Sequence, residues 1–205
     1  MTRKHNNHAA LLCAAIVITL LIPGSAQALA QASDQTRTHL ALRLLPEDAR
    51  GDALVILRDS TGDRTAKNGT GFTCISDSSD PTRLSYNCHH PALNEQFALE
   101  REFRELRGAE FRERVCSEAE ARGIRVPNGA IEITSSVTID DEGDLDTSMT
   151  VYTLLWVPYQ TEQMVAIADE DPGDAGPWLH RAGTCQAHVM WSKTVRPSEE
   201  GQKQQ

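Results

Sequence analysis

Apolar and polar positions alternate in some stretches of this chain and recur with a helical period in others, and together they predict its elements. Ala53-Leu54-Val55-Ile56-Leu57 is a compact, β-branched-rich run followed by Asp59-Ser60-Thr61-Gly62, the pattern of a buried strand and a turn. Residues 71–76 alternate well enough for a second strand, read as the hairpin partner of the first, with the polar stretch 63–71 as the loop between them. Residues 129–139 alternate around Ile131, Ile133 and Val137, which predicts a strand with one wet face. Met149 to Pro158 is the most strand-like run, expected to pair centrally with that strand, and Ala187 to Trp191 supplies a last strand.

The helical signals lie elsewhere. Thr38 to Arg50 predicts a short helix or turn, and Thr161 to Ala168 a short helix capped by Thr161. Between Pro91 and Arg122, Leu99, Phe103 and Leu106 make one apolar stripe and Phe111, Val115 and Ala119 another. At about 100° per residue the two stripes fall on opposite sides of one straight helix. Gly108 lies at the change of phase, so two helices, or one broken there, are expected. The charged residues from Glu100 to Arg107 and from Glu110 to Arg114 mix signs at helical spacings and read as a solvated, salt-bridged surface. The expected architecture is α+β: a small, mostly antiparallel sheet of four to five strands, helices packed on one face, and two disulfides.

The first 30 residues carry Arg3 and Lys4, a small-and-apolar run from Ala9 to Leu21, a Pro23-Gly24 break and small-x-small sites around Ala28 and Ala30. These are the parts of a secretory signal peptide, and the apolar run is short against the ~20 residues of a spanning helix. The division expected is a signal peptide over 1–30, one domain over 31–192 and a disordered polar tail over 193–205. Cleavage would leave no integral membrane segment, and the product would be periplasmic or secreted. It would also move the formal charge from -9 to -11, because the leader holds two cations and no acid. Nucleic-acid recognition needs a basic footprint, which this balance argues against; no partner is indicated.

Four cysteines lie beyond the leader, and an even count in an oxidising compartment implies two disulfides with three possible connectivities. Cys74 and Cys88 flank a turn-rich stretch, Ser76 to Asn87, and are paired by proximity; Cys116 and Cys185 follow by elimination.

Asn68-Gly69-Thr70-Gly71-Phe72-Thr73-Cys74 resembles the GTNGFTC block of a family of small exported bacterial proteins, most of them labelled hypothetical. Val157-Pro158-Tyr159, Gly176-Pro177-Trp178-Leu179 and Gly183-Thr184 followed by Ala187-His188-Val189-Met190 are similar to that family's C-terminal half. The resemblance implies kinship over most of the mature domain and carries no chemistry. Cys185-Gln186 stands where the family pattern has proline and an aromatic residue or histidine. That departure implies that Cys74–Cys88 is the family's own bridge and Cys116–Cys185 a local addition.

Residues 176–191 crowd Trp178, His180, Cys185, His188 and Trp191 together, and this block holds the candidate chemistry. His180, His188, His89 and His90 could converge on zinc or copper, and Met190 would favour copper(I). No pair of them has a fixed ligand spacing, so no cofactor is the first expectation and zinc or copper the alternative. Hydrolysis with His188 as base, oriented by Asp169 or Glu170, has no G-x-S-x-G elbow beside it and no free thiol once both bridges form. Trp178, Trp156 and Tyr159 are candidates for a ligand groove, although aromatics at this density more often build a core. The first expectation is a non-enzymatic binding or structural module, and the second a metal-binding protein or metal-dependent hydrolase using His188 and His180.

Overall fold

The computed structural model describes residues 33–80, 82–138, 149–169 and 176–195. The leader, residues 139–148, Glu170 and residues 196–205 of the expected tail lie outside them. Helix α1 (Asp34–Arg43) comes first, its amino end capped by the Ser33 hydroxyl, which accepts from Thr36 N–H, with Asp34 in the first turn. Strands β1 (Leu54–Asp59), β2 (Gly62–Lys67), β3 (Thr73–Asp77) and β4 (Arg83–His89) follow, then helices α2 (Asn94–Glu102) and α3 (Gly108–Ala121). Strands β5 (Ile131–Thr138) and β6 (Met149–Trp156), the single turn α4 (Glu162–Val165), and strands β7 (Trp178–His180) and β8 (His188–Val195) complete the order. Gly108 opens α3 in a left-handed conformation, φ 59°, where the two apolar stripes change phase.

The strands form one eight-stranded mixed sheet, ordered β2-β1-β3-β4-β5-β6-β8-β7. This corrects the smaller, mostly antiparallel sheet of four to five strands read from the sequence. Three strands went unrecognised for separate reasons. β2 is a polar edge strand, Gly-Asp-Arg-Thr-Ala-Lys, that buries almost nothing. β4 sits in the stretch read as a turn-rich loop, and β7 is three residues long. The pairing of the first strands differs too: β2, not β3, is the hairpin partner of β1, and β3 runs parallel to β1. β8 continues to Val195, into the stretch expected to be tail.

Helices cover both faces, which corrects the expected one-sided packing. Side chains alternate across the register, so Val55, Cys74, Cys88 and Ile133 share one face with Leu57, Tyr86 and Val137. That face meets Ala41, Leu44 and Leu45 at the end of α1 in the main apolar core. On it Arg37, 5% exposed, ties helix to sheet: its guanidinium donates to Arg58 O at 2.7 Å, Ser76 O at 2.8 Å and Ser76 Oγ at 3.2 Å. The opposite face carries Leu154 and Trp156, which pack with Leu93 and Phe97 of the α2 region, and α3 closes on α2 through Leu99, Val115 and Ala119.

The disulfides join Cys74 to Cys88 and Cys116 to Cys185. The first links residues directly opposite each other on β3 and β4, fully buried beside Ala41. The second fastens α3 to the loop before β8.

Because β3 lies on the far side of β1 from β2, residues 68–72 must cross the start of β1. The crossing is close. Gly71 N–H donates to Asp52 O at 2.8 Å, and Thr70 Oγ1 donates to the Asp52 carboxylate at 3.0 Å. A Cβ on Gly69 would lie 2.3 Å from Asp52 O and 2.5 Å from the Ala53 carbonyl carbon, so only glycine fits. This packing requirement accounts for Gly69, Thr70 and Gly71 of the Asn68–Phe72 block. Gly69→Ala should lower stability in urea denaturation by about 3 kcal/mol, and Gly71→Ala, whose Cβ would meet the same oxygen at 3.0 Å, by about 1 kcal/mol. A neutral Gly69→Ala would refute this account of the crossing.

Candidate functional site

The face of the sheet under α2 is unusually polar. Alternation places Asn87 and His89 of β4, Glu132 and Thr134 of β5, Trp156 of β6 and His188 of β8 on it. Glu132 is 7% exposed and, among the described residues, has no cation bonded to it: Trp156 Nε1–H donates to one oxygen at 3.0 Å and Asn87 Nδ2–H to the other at 2.6 Å. Burial pushes its carboxyl up to about 7, against the opposing pull of those two donors and of Arg181. Asn87 Oδ1 in turn lies 2.8 Å from His89 Nδ1; since Asn87 donates its NH2 to Glu132, its oxygen accepts from the ring. Burial, helped by the charge of Arg101, holds His89 down to about 4 and therefore neutral. A neutral ring accepts at Nε2, which calls for the Asn94 amide, 2.9 Å away, to turn its NH2 toward it.

His180 and His188 face each other across β7 and β8. His188 Nδ1–H donates to Gln186 O at 2.8 Å, which fixes the tautomer, so His188 Nε2 accepts from His180 Nδ1–H at 3.1 Å. Burial brings His188 down to about 4 and lowers His180 as well. Gln186 and Gln96 both donate to Glu100 Oε1, at 2.7 and 3.0 Å, joining the loop before β8 to α2.

The four histidines proposed as ligands therefore do not converge. His89 is separated from His188 by Phe97 and Trp156, whose rings follow one another between them. His90 is exposed and caps a short turn, its Nδ1 accepting from Ala92 N–H at 3.2 Å. Among the described residues no group of three or more His, Cys, Asp or Glu side chains could hold a metal ion. Asp169 is exposed, and the position of an orienting acid at His188 is taken by the Gln186 carbonyl. Trp178 and Trp156 are buried, at 6% and 2% exposure, and Tyr159, 51% exposed, lies beside the Cys116–Cys185 bridge.

One opening among the described residues is a cleft of about 540 Å³ between the α2–α3 corner and the sheet, and two smaller ones, of about 260 and 400 Å³, lie beside Tyr159. Ile75, Phe97, Leu106 and Phe111 give the cleft apolar walls, and Asn87 and Thr134 put the edge of the buried polar network on its floor. Five arginines line it, Arg58, Arg101, Arg104, Arg107 and Arg181, against two acids, Asp77 and Glu100. Three of the arginines are occupied. Arg58 is paired with Asp63 at 2.7 Å, Arg104 with Glu105 at 3.3 Å, and Arg107 donates to the carbonyls of Arg104 and Leu106. Arg101 and Arg181 have no carboxylate partner among the described residues.

None of these cleft arginines was singled out from the sequence as a binding residue, because mixed charge at helical spacing reads as a wet surface. The signal that could have found them is the phase change at Gly108, which turns the Arg104–Arg107 connection back toward the sheet. Glu132 was hidden in an alternating strand whose polar face looked solvated. No family model, curated protein or solved structure matches this chain.

The buried acid and histidines give opposite pH dependences. Between about 4.5 and 7 the folded protein holds a proton on Glu132 that the unfolded chain has released, so this group lowers stability as pH rises. Between about 6.5 and 4 unfolding lets His89 and His188 take up protons refused in the fold, so they lower stability as pH falls. Glu132→Gln removes the opposing contribution. Urea denaturation from pH 5.0 to 6.5 should show its stability rising with pH more steeply than wild type, by about 1.4 kcal/mol per pH unit. Equal slopes would show that Glu132 titrates as an ordinary carboxylate.

Proposed function

We propose that this chain is an exported, disulfide-stapled binding module that takes a small molecule in the cleft between the α2–α3 corner and the sheet. One observation carries the reading. The cleft offers open apolar walls and uncommitted cationic groups, while the titratable groups of catalytic type, Glu132, His89 and His188, are buried and engaged in internal hydrogen bonds. A volume near 540 Å³ falls in the range of small-molecule sites. Export is supported by the leader-like first 30 residues and by the two disulfides. Kinship with the family of small exported bacterial proteins is part of the same reading, on the strength of the Asn68–Cys74 block.

Zinc or copper bound through His180 and His188 is the weaker reading. It rests on two imidazoles whose facing nitrogens already bond one another.

A thermal-shift screen of small apolar and amphipathic compounds separates the two. A cleft ligand at about 100 times its Kd should raise the melting temperature by roughly 5–10 °C. The shift should vanish in Phe111→Glu, which puts a carboxylate into the cleft wall, while chelator leaves the wild-type melting temperature unchanged. A fall of several degrees with chelator, or ligand shifts that persist in Phe111→Glu, would overturn the cleft reading.

A further inference from the structure

Resting on the cleft reading, we propose that its occupant is a small amphipathic oxyanion, with a carboxylate or sulfate head held by Arg101 and Arg181 and an apolar body on Ile75, Phe97, Leu106 and Phe111. Charge is the first argument. The chain carries a formal net charge of -9, yet this one cleft is lined by five arginines and two acids. Arg58 and Arg104 meet carboxylates and Arg107 meets backbone carbonyls, which leaves, among the described residues, Arg101 and Arg181 to answer an incoming anion. Planar guanidinium groups suit a two-oxygen head, donating through paired N–H groups.

Both free arginines also act on the buried network beneath the cleft. The charge of Arg101 is felt at His89, and that of Arg181 at Glu132, His180 and His188. Among the described residues no carboxylate bonds to either guanidinium, although the charge of Arg101 is felt at Asp63 and that of Arg181 at Glu132. His89 and His188 are held neutral, and the Glu132 carboxyl, pushed up to about 7, is protonated below that pH, so the floor repels an anion least in mildly acid solution.

Arg181 is one of three non-glycine residues at positive φ among the described residues, with Tyr159 and Ala166, and it alone of them lines the cleft. It sits at φ 59°, a left-handed conformation that glycine adopts freely and a long side chain does not. The position lies just after β7, in the turn that leads to Gly183, so a glycine would serve the fold at least as well. What arginine adds there is a guanidinium on the cleft wall.

The apolar walls decide against inorganic anions, because phosphate alone would leave Ile75, Phe97, Leu106 and Phe111 in water. A polyanion is disfavoured by the acidity of the rest of the chain.

The test uses the oxidised protein and two fluorescent probes that differ by one charge: 1-anilinonaphthalene-8-sulfonate and its neutral analogue N-phenyl-1-naphthylamine. Decanoate, decanol and inorganic phosphate serve as competitors. Saturable binding of the sulfonate probe is expected, displaced by decanoate at a concentration at least about tenfold lower than decanol requires. Arg101→Gln and Arg181→Gly should each weaken decanoate about tenfold, leave the neutral probe within about twofold, and in the case of Arg181→Gly keep or raise the melting temperature.

If decanoate and decanol compete equally, or both substitutions leave decanoate unaffected while the neutral probe still binds, the oxyanion is wrong and the cleft remains a site. Phosphate competing as well as decanoate would overturn the apolar half of the proposal. Absence of saturable binding by either probe would remove the cleft reading and this inference together.

Discussion

The two-residue alternation of a strand is the constraint on which this structure depends, because here both faces of the sheet are covered. Cys74, Tyr86, Cys88, Ile133 and Val137 go to one side and form a dry layer against α1. Their immediate neighbours Asn87, His89, Glu132 and Thr134 go to the other, where they would face water in a half-covered sheet. Slipping β4 or β5 by one residue would exchange the two sets, placing Glu132 against Ala41 and the Cys88 sulfur under α2. The buried bridge between Cys74 and Cys88 holds that register at the middle of the sheet.

Placing polar side chains under a helix costs desolvation, and the network meets that cost with neutral histidines, a carboxyl pushed up to about 7 and internal hydrogen bonds. Glu132 accepts from Asn87 and Trp156, Asn87 accepts from His89, and the two rings of His180 and His188 satisfy each other against a backbone carbonyl. Charge is left to the cleft above, where arginines line the walls in water. A hydrogen-bonded floor beneath a cationic rim is an arrangement that places the ligand's charged head at the rim and not within the buried network.

Much of the backbone was legible in the sequence, and the reasons for the remainder are physical. β1, β3, β5, β6 and β8 bury enough apolar residues to show a strand pattern, and Gly108 marked the break between α2 and α3 by shifting the apolar phase. β2 buries nothing and is held by its ladder to β1, so no apolar pattern marks it. β4 does alternate, through Leu84, Tyr86 and Cys88, but the turn-forming residues before it give the stretch the pattern of a loop. The candidate site was less legible. Histidines and tryptophans attract functional readings, whereas an arginine on a sign-mixed surface does not, and only the packing of the α2–α3 corner against β3–β5 brings Arg101 and Arg181 to one opening.

The two disulfides differ in how an oxidant or reductant can reach them. Cys74 and Cys88 have no exposed surface, and Ala41 of α1 lies directly over them. Cys116 is only half-buried on the outer surface of α3. An exchange partner needs an in-line approach to sulfur, so the inner bond has to close while α1 is still undocked. The outer bond stays within reach after the domain is complete. Maturation of this chain therefore has a built-in order, with oxidation of the β3–β4 pair preceding arrival of the helix that seals it.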